Sequence, residues 1–245
     1  PPRYGRTVRE FKVMTLFAGA GGKTIGCLWA RKDNARFVSC GAIDIDPIAC
    51  RNFERLTGAS ATVADIGLLT PKDLAEIATD RPDLVVMSPP CQGWSSCMPE
   101  RNAAQPRYQA LNALFIHSLE LVLKAWGQPP AFIMVENVPR ILSRGKAELE
   151  RAKVLMRSHG YSVDIRPHDC GDIGNLGQRR KRVLVVGRHK TQMPGLIRLP
   201  RSRGHRTAGD VVFELPLPLP RGGEGGKMHV LPKISPLNWL RIAAI

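Results

Sequence analysis

A cysteine delivered by two prolines is the residue in this sequence best placed to do chemistry. In Ser88-Pro89-Pro90-Cys91-Gln92-Gly93-Trp94-Ser95 an apolar run stops at two rigid residues, and Gly93 permits a tight path beyond the thiol. Cys91 is thereby expected on a short, stiff loop. The thiolate is the nucleophile, and an ordinary cysteine titrates at about 8.5, so the surroundings must favour the anion. A thiolate adding to an electron-poor carbon also needs acid assistance and support for the developing charge. Glu136, in Met134-Val135-Glu136-Asn137-Val138, ends another apolar run and is expected at the same edge of a sheet. Standing alone it would read as a helix N-terminal acid. Gln178-Arg179-Arg180-Lys181-Arg182 leads into a further apolar strand. Alternate strand residues share a face, so Arg180 and Arg182 are expected to point the same way. Two guanidiniums so placed suit a carbonyl oxygen, a carboxylate or a phosphate; the plainer reading is a solvated basic edge. The other cysteines, Cys27, Cys40, Cys50, Cys97 and Cys170, read as small core residues.

A second constellation is Phe17-Ala18-Gly19-Ala20-Gly21-Gly22-Lys23-Thr24, between an apolar run and a helical pattern. Ligands of open α/β sheets bind at such a turn. Gly22-Lys23-Thr24 mimics the end of a phosphate-binding loop, but that motif needs glycine where Phe17 stands. A dinucleotide fingerprint needs glycine where Thr24 stands. A methyl-donor site is the third reading, because glycines let the backbone approach the methionine portion of such a cofactor. Asp44 follows at the end of the next strand, placed to accept from ribose hydroxyls, with Ile45 beside it for the adenine. Asp65 ends the third strand, where it can meet the adenine amino group. The competing role for both acids is to cap helices or turns.

The elements that must position these residues alternate along residues 1–190, which predicts an α/β fold with a mostly parallel, seven-stranded sheet. Strands are expected at 11–17, 37–43, 62–65, 84–88, 131–135, 161–166 and 182–188. Helices are expected at 23–31, from Pro47 onward, at 71–79, 110–126 and 146–158. In 110–126 the apolar stripe is Leu111, Leu114, Phe115, Leu119, Val122 and Leu123. Residues 191–245 form a separate, loop-rich region, with Leu-Pro repeats at 215–220 and a glycine run at 222–226.

Composition narrows the setting. Of the net charge of +15, residues 1–138 carry +2 and residues 139–245 carry +13. A basic excess confined to one part suits a polyanion, most often nucleic acid. A hydrophobic share of 43% supports a sizeable core. No apolar stretch reaches the roughly 18 residues of a membrane span, and the first residues, Pro-Pro-Arg-Tyr, lack a signal core. The cysteines form no close Cys-x-x-Cys pairs, which argues against a zinc or disulfide framework and for a reducing, cytoplasmic setting. The first residue is not Met and the last stretch, 237–245, is apolar without an evident partner, so the sequence is expected to be part of something longer.

In order along residues 12–188, these motifs resemble the DNA (cytosine-5) methyltransferase family. The resemblance implies a Rossmann-like fold dependent on S-adenosylmethionine, followed by the start of a target-recognition region. It implies cofactor contacts from Phe17, Ala18, Gly19, Gly21, Gly22, Asp44, Ile45, Asp65, Ile66, Pro89 and Leu114. Cys91 would attack carbon 6 of a cytosine flipped out of double-stranded DNA, Glu136 would hold nitrogen 3, and Arg180 and Arg182 would support substrate and loop. No metal is implied. Two departures stand out: Thr15 occupies a position often held by Asp, and no closing Gly-Asn motif is present. A longer chain or a second polypeptide is therefore expected to complete the cofactor pocket. RNA methylation and a DNA-binding role without catalysis are the competing functions. A prokaryotic or phage source is expected, the biology being restriction–modification, phage protection or regulation.

Overall fold

The computed structural model describes residues 8–32, 34–94, 105–195, 197, 201–214 and 235. Ser95, Cys97, the Leu-Pro repeats, the glycine run and the apolar stretch at 237–245 lie outside them. The described residues fall into two compact units, one drawn from 1–168 with 181–199 and the other from 169–180 with 200–245. The division differs from the single boundary expected at residue 190, because residues 169–180 group with the later segment.

The first unit is built on one mixed sheet. Its strands are β1 (Arg9–Leu16), β2 (Arg31–Lys32), β3 (Ala35–Asp44), β4 (Thr62–Val63), β5 (Leu84–Met87), β6 (Phe132–Asn137), β7 (Tyr161–Asp169) and β8 (Lys181–His189). They lie in the order β2-β3-β1-β5-β6-β8-β7, with β4 on β3. The pairs β1–β3, β1–β5, β3–β4 and β5–β6 are parallel. β2 folds back on β3, and β8 runs antiparallel to β6. The sheet is thus mostly parallel as expected, with one short additional strand and one reversed strand. Two residues of β2 are too few to give a periodic signal, and strand direction leaves no trace in apolar spacing.

Helices occupy the connections: α1 (Gly22–Trp29), α2 (Pro47–Thr57), α3 (Pro71–Ile77), α4 (Pro106–Lys124) and α5 (Lys146–Ser158). Pro47, Pro71 and Pro106 each open a helix, where the missing N–H would have no intrahelical partner. Asp46 caps α2 by accepting from Ile48 N–H at 2.7 Å, and Thr70 with Asp73 forms a capping box on α3. The main core joins Leu16, Ile43, Val85, Met87, Ile133 and Val135 of the strands to Phe115, Leu119 and Val122 of α4 and Met156 of α5. Leu111 and Leu114 depart from the expected stripe: they are half-buried and line a cavity at the sheet's carboxyl edge.

The chain runs from β1 outward to β3, then returns to place β5 on the other side of β1. Loops leaving β1 and β5 therefore diverge at their carboxyl ends and leave a crevice between them. The glycine loop follows β1, and the Cys91 loop follows β5.

In the second unit α6 (Cys170–Gly174) is capped by Asp169, whose carboxylate accepts from Gly171 N–H at 3.0 Å and Arg180 N–H at 3.0 Å. Ser202 Oγ donates to Asp172 at 2.6 Å, and α7 (Ala208–Val212) begins with a capping box of Thr207 and Asp210.

Candidate active site

The Cys91 loop is fixed by its neighbours. β5 is buried along its whole length and ends at Met87, so Ser88 and the two prolines emerge at the sheet's edge. A single 3₁₀ turn, Gln92–Trp94, follows, closed by Trp94 N–H donating to the Cys91 carbonyl at 3.0 Å. Trp94 is 1% exposed and meets the Phe115 ring edge-on at a centroid distance of 6.3 Å. Gly93 lies over the buried Asn112 amide so closely that an added β-carbon would sit 2.6 Å from it. Asn137, 2% exposed, donates from Nδ2 to the Pro89 carbonyl at 3.3 Å and accepts Val138 N–H at 2.8 Å. Its side chain ties the end of β6 to the loop after β5.

Glu136 is the centre of a polar bracket. Its Oε2 accepts from Ser88 Oγ at 2.9 Å, and its Oε1 pairs with Arg182 Nε at 2.9 Å, both charged side chains being half-buried. Register explains the pairing. Glu136 stands opposite Leu184, and Arg182, two residues from Leu184, shares its face and lies diagonally across from the acid. A charge-assisted contact of this kind fixes the carboxylate and still leaves oxygen lone pairs for a further donor.

Cys91 is half-buried beside this bracket. Burial pushes its thiol up, and the Glu136 charge adds to the rise. Its own backbone N–H and the Arg182 guanidinium pull the other way. The resting group is therefore a thiol, and the anion must be drawn out as substrate arrives. Among the other described cysteines Cys40 and Cys50 are buried as expected, whereas Cys27 and Cys170 are only partly covered. Burial holds the Cys40 thiol up at about 12.

Arg180 departs from the expected geometry. β8 begins at Lys181, so strand alternation does not extend to Arg180, which belongs to the second unit. There its backbone N–H donates to the Asp169 carboxylate.

The other half of the site is made largely of backbone. Phe17 has φ +53°, a left-handed value unusual for a side chain of its size, and Gly19 and Gly21 follow with φ +54° and +92°. The turn is latched by Gly19 N–H donating to Asp44 Oδ2 at 2.8 Å and Ala18 N–H donating to the Ile43 carbonyl at 3.0 Å. Asp44 Oδ1 accepts Asp46 N–H at 3.0 Å, and Asp65 accepts Gly67 N–H at 2.9 Å. Both acids thus make the local capping bonds that sequence allows, and both also line a cavity of about 340 Å³. Phe17, Ile45, Ile66 and Leu114 line it too. Pro90 faces it, while Pro89 is buried with its carbonyl held by Asn137. Ala18, Gly19, Gly21 and Gly22 shape the adjoining turn and are not part of the lining. Thr15 is buried, its hydroxyl 2.7 Å from that of Thr24, so β1 is bonded to the first turn of α1 at that position.

Sequence reasoning did not assign roles to Ser88, Asn137, Trp94, Gly67 or Leu68. Ser88, Asn137 and Trp94 stand inside the quoted motifs, where a polar or aromatic residue beside each catalytic candidate was the available signal. Leu68 is 81% exposed and Ile45 66% exposed beside the same cavity, an apolar rim suited to a flat heterocycle. Two carboxylates and an apolar rim fit a nucleoside, with hydroxyl and amino donors for the acids. A larger cavity of about 600 Å³ lies at the opposite, amino edge, lined by Phe11, Phe37, Leu84 and Phe132. It holds none of these candidates.

The family profile of C-5 cytosine-specific DNA methylases matches residues 11–210. Type II methyltransferase M.XorII of Xanthomonas oryzae pv. oryzae is 28% identical over 82% of this chain and 45% of its own length. Type II methyltransferase M.AquIA of Picosynechococcus sp. is 32% identical over 73% of this chain and 72% of its own. Among solved structures, the Dnmt2 methyltransferase of S. pombe superposes with a TM-score of 0.60 at 26% identity, covering 82% of this chain and 58% of that one. The fold is shared with a DNA modification methyltransferase encoded within an E. coli prophage, at a TM-score of 0.66 and 24% identity over 84% of this chain and 55% of that one. The chain spans about half the length of most of these relatives. With a profile matched across most of its length and motifs meeting at one sheet edge, the chain belongs to the C-5 cytosine-specific DNA methylase family.

Proposed function

We propose that this chain carries the cofactor and catalytic portion of an enzyme that methylates carbon 5 of cytosine in double-stranded DNA. The observation that carries the reading is the Ser88–Glu136–Arg182 bracket beside Cys91. Carbon 5 of cytosine is a poor nucleophile, and covalent addition at carbon 6 changes that. The Cys91 sulfur forms a bond to carbon 6 as the thiol proton passes by way of the Glu136 carboxylate to nitrogen 3, and the electrons of the carbon 5–carbon 6 double bond become available at carbon 5. Arg182 and Ser88 orient Glu136 throughout. S-adenosylmethionine supplies, when bound, a sulfonium methyl group, and Phe17, Asp44, Ile45, Asp65 and Leu114 are the residues that would hold its adenosine. After carbon 5 has gained its substituent, a water molecule takes the carbon 5 proton, that electron pair re-forms the carbon 5–carbon 6 double bond, the S–C6 bond breaks with Cys91 leaving as thiolate, and nitrogen 3 returns its proton to the Glu136 carboxylate. The target base must leave the duplex stack for the thiol to reach carbon 6.

Transfer of tritiated methyl groups from S-adenosylmethionine to duplex DNA and, separately, to transfer RNA tests the reading. Label is expected in DNA, and Cys91→Ser is expected to reduce it by more than about 10³-fold. Undiminished transfer by Cys91→Ser would remove the cysteine from the mechanism, and label confined to RNA would change the substrate. DNA containing 5-fluorocytosine is expected to trap a covalent adduct; binding without an adduct would favour a non-catalytic role.

A further inference from the structure

Lys23 belongs to Gly22-Lys23-Thr24, which matches only the end of a phosphate-binding loop, and the proposed chemistry gives it no role. It is the second residue of α1, and its half-buried ammonium turns back to donate to the Phe17 carbonyl at 3.2 Å. Burial lowers its pKa, while the charges of Glu136 and Asp44 oppose that fall. Neither acid pairs with it directly. Glu136 is engaged by Arg182 and Ser88, and Asp44 by the N–H groups of Gly19 and Asp46. An ammonium has three donors, and among the described residues its bond is to a neutral carbonyl. A cation withdrawn from water without a directly bonded anion is unfavourable until one arrives. The first turn of α1 contains no acidic residue, so an anion entering there meets no carboxylate of that turn.

Two anions could belong to an adenosine-bearing ligand: a phosphate chain or an amino-acid carboxylate. In a phosphate-binding loop the residue after the lysine uses its hydroxyl on the bound magnesium ion. Here Thr24 is fully buried and its hydroxyl is committed to Thr15. The lysine is available and its usual phosphate-site partner is not. We infer that Lys23 takes the α-carboxylate of the amino-acid tail of the adenosyl cofactor, next to the Phe17 carbonyl on which it rests. The assignment rests on the reading that the cavity between Asp44 and Asp65 holds the adenosine.

Calorimetric titration of the full chain with S-adenosylhomocysteine and with 5′-methylthioadenosine, which keeps the adenosine and thioether but lacks the carboxylate, tests it. Lys23→Met is expected to weaken S-adenosylhomocysteine by at least about tenfold and to leave 5′-methylthioadenosine within about twofold. Lys23→Arg is expected to keep most of the first affinity. Equal losses for both ligands would make Lys23 a shaper of the loop, and no loss for either would end the assignment. Adenosine diphosphate binding more tightly than S-adenosylhomocysteine, with the same dependence on Lys23, would hand the residue to phosphate. If the unsubstituted chain bound neither adenosyl ligand, the cofactor reading itself would fail and the assignment with it.

Discussion

The two halves of the site are built on opposite plans. Around Cys91, polar side chains are committed to one another: Ser88 and Arg182 to Glu136, and Asn137 to the Pro89 carbonyl. Around the glycine loop, carboxylates hold backbone N–H groups, and large apolar side chains such as Ile45 and Leu68 face outward. On the proposed reading the first half is pre-arranged for charge that develops during a reaction, where fixed dipoles act most strongly. The second is a surface whose apolar rim becomes satisfied only under a ligand. Catalysis and binding should therefore be separable by mutation.

After the loss of Cys91 itself, the largest effect is expected at Arg182. Arg182→Met leaves Glu136 without its cation, and methyl-transfer kcat should fall by about 10²-fold with little change in cofactor affinity. Arg182→Lys should recover only part, because the bond is made from the planar guanidinium. A fall in cofactor affinity as large as the fall in kcat would show that the halves are not separate. Next comes Asp44→Asn, which weakens the latch to Gly19 and removes a charged acceptor. S-adenosylhomocysteine binding measured by calorimetry should weaken by about tenfold. The alkylation profile of Cys91 should not move; a shifted profile would tie the latch to the thiol.

The smallest effect is one of pH. Burial disfavours the Cys91 thiolate, so its alkylation by iodoacetamide in the free chain should reach half its maximal rate above the ordinary value of about 8.5. Arg182 favours the anion and Glu136 disfavours it, so Arg182→Met should move the midpoint up and Glu136→Gln should move it down. A midpoint at or below the ordinary thiol value would mean that the loop activates the cysteine before substrate arrives.

The same contrast decides what sequence could reveal. Short-range features were legible: α5 spans the residues its periodicity predicts, Pro47 opens α2, and Asp44 ends β3 beside the glycine turn. The family motifs placed Cys91 and Glu136 at strand ends on one edge of the sheet. The partners of those residues were not legible, since the Arg182–Glu136 pair depends on two strands far apart in sequence running in opposite directions. Arg180 shows the limit from the other side. It stands one residue before the start of β8, where its backbone N–H is bonded to the Asp169 carboxylate and strand alternation does not hold. Leu114 reads as a core residue by spacing and lines the cavity instead, because helical period does not say what covers each part of a face.

The reversal of β8 has a consequence for how the acid is maintained. An antiparallel neighbour delivers its first residues to the edge where β6 delivers its last, so a cation reaches Glu136 without any crossover connection. Nothing at that edge dictates which residue of β8 does so. Val183 and Val185, both fully buried, set the phase of the strand. Sliding β8 by one position would bury Arg182 and expose the valines, so two aliphatic side chains with no chemistry of their own act as the vernier that aligns a guanidinium with its carboxylate.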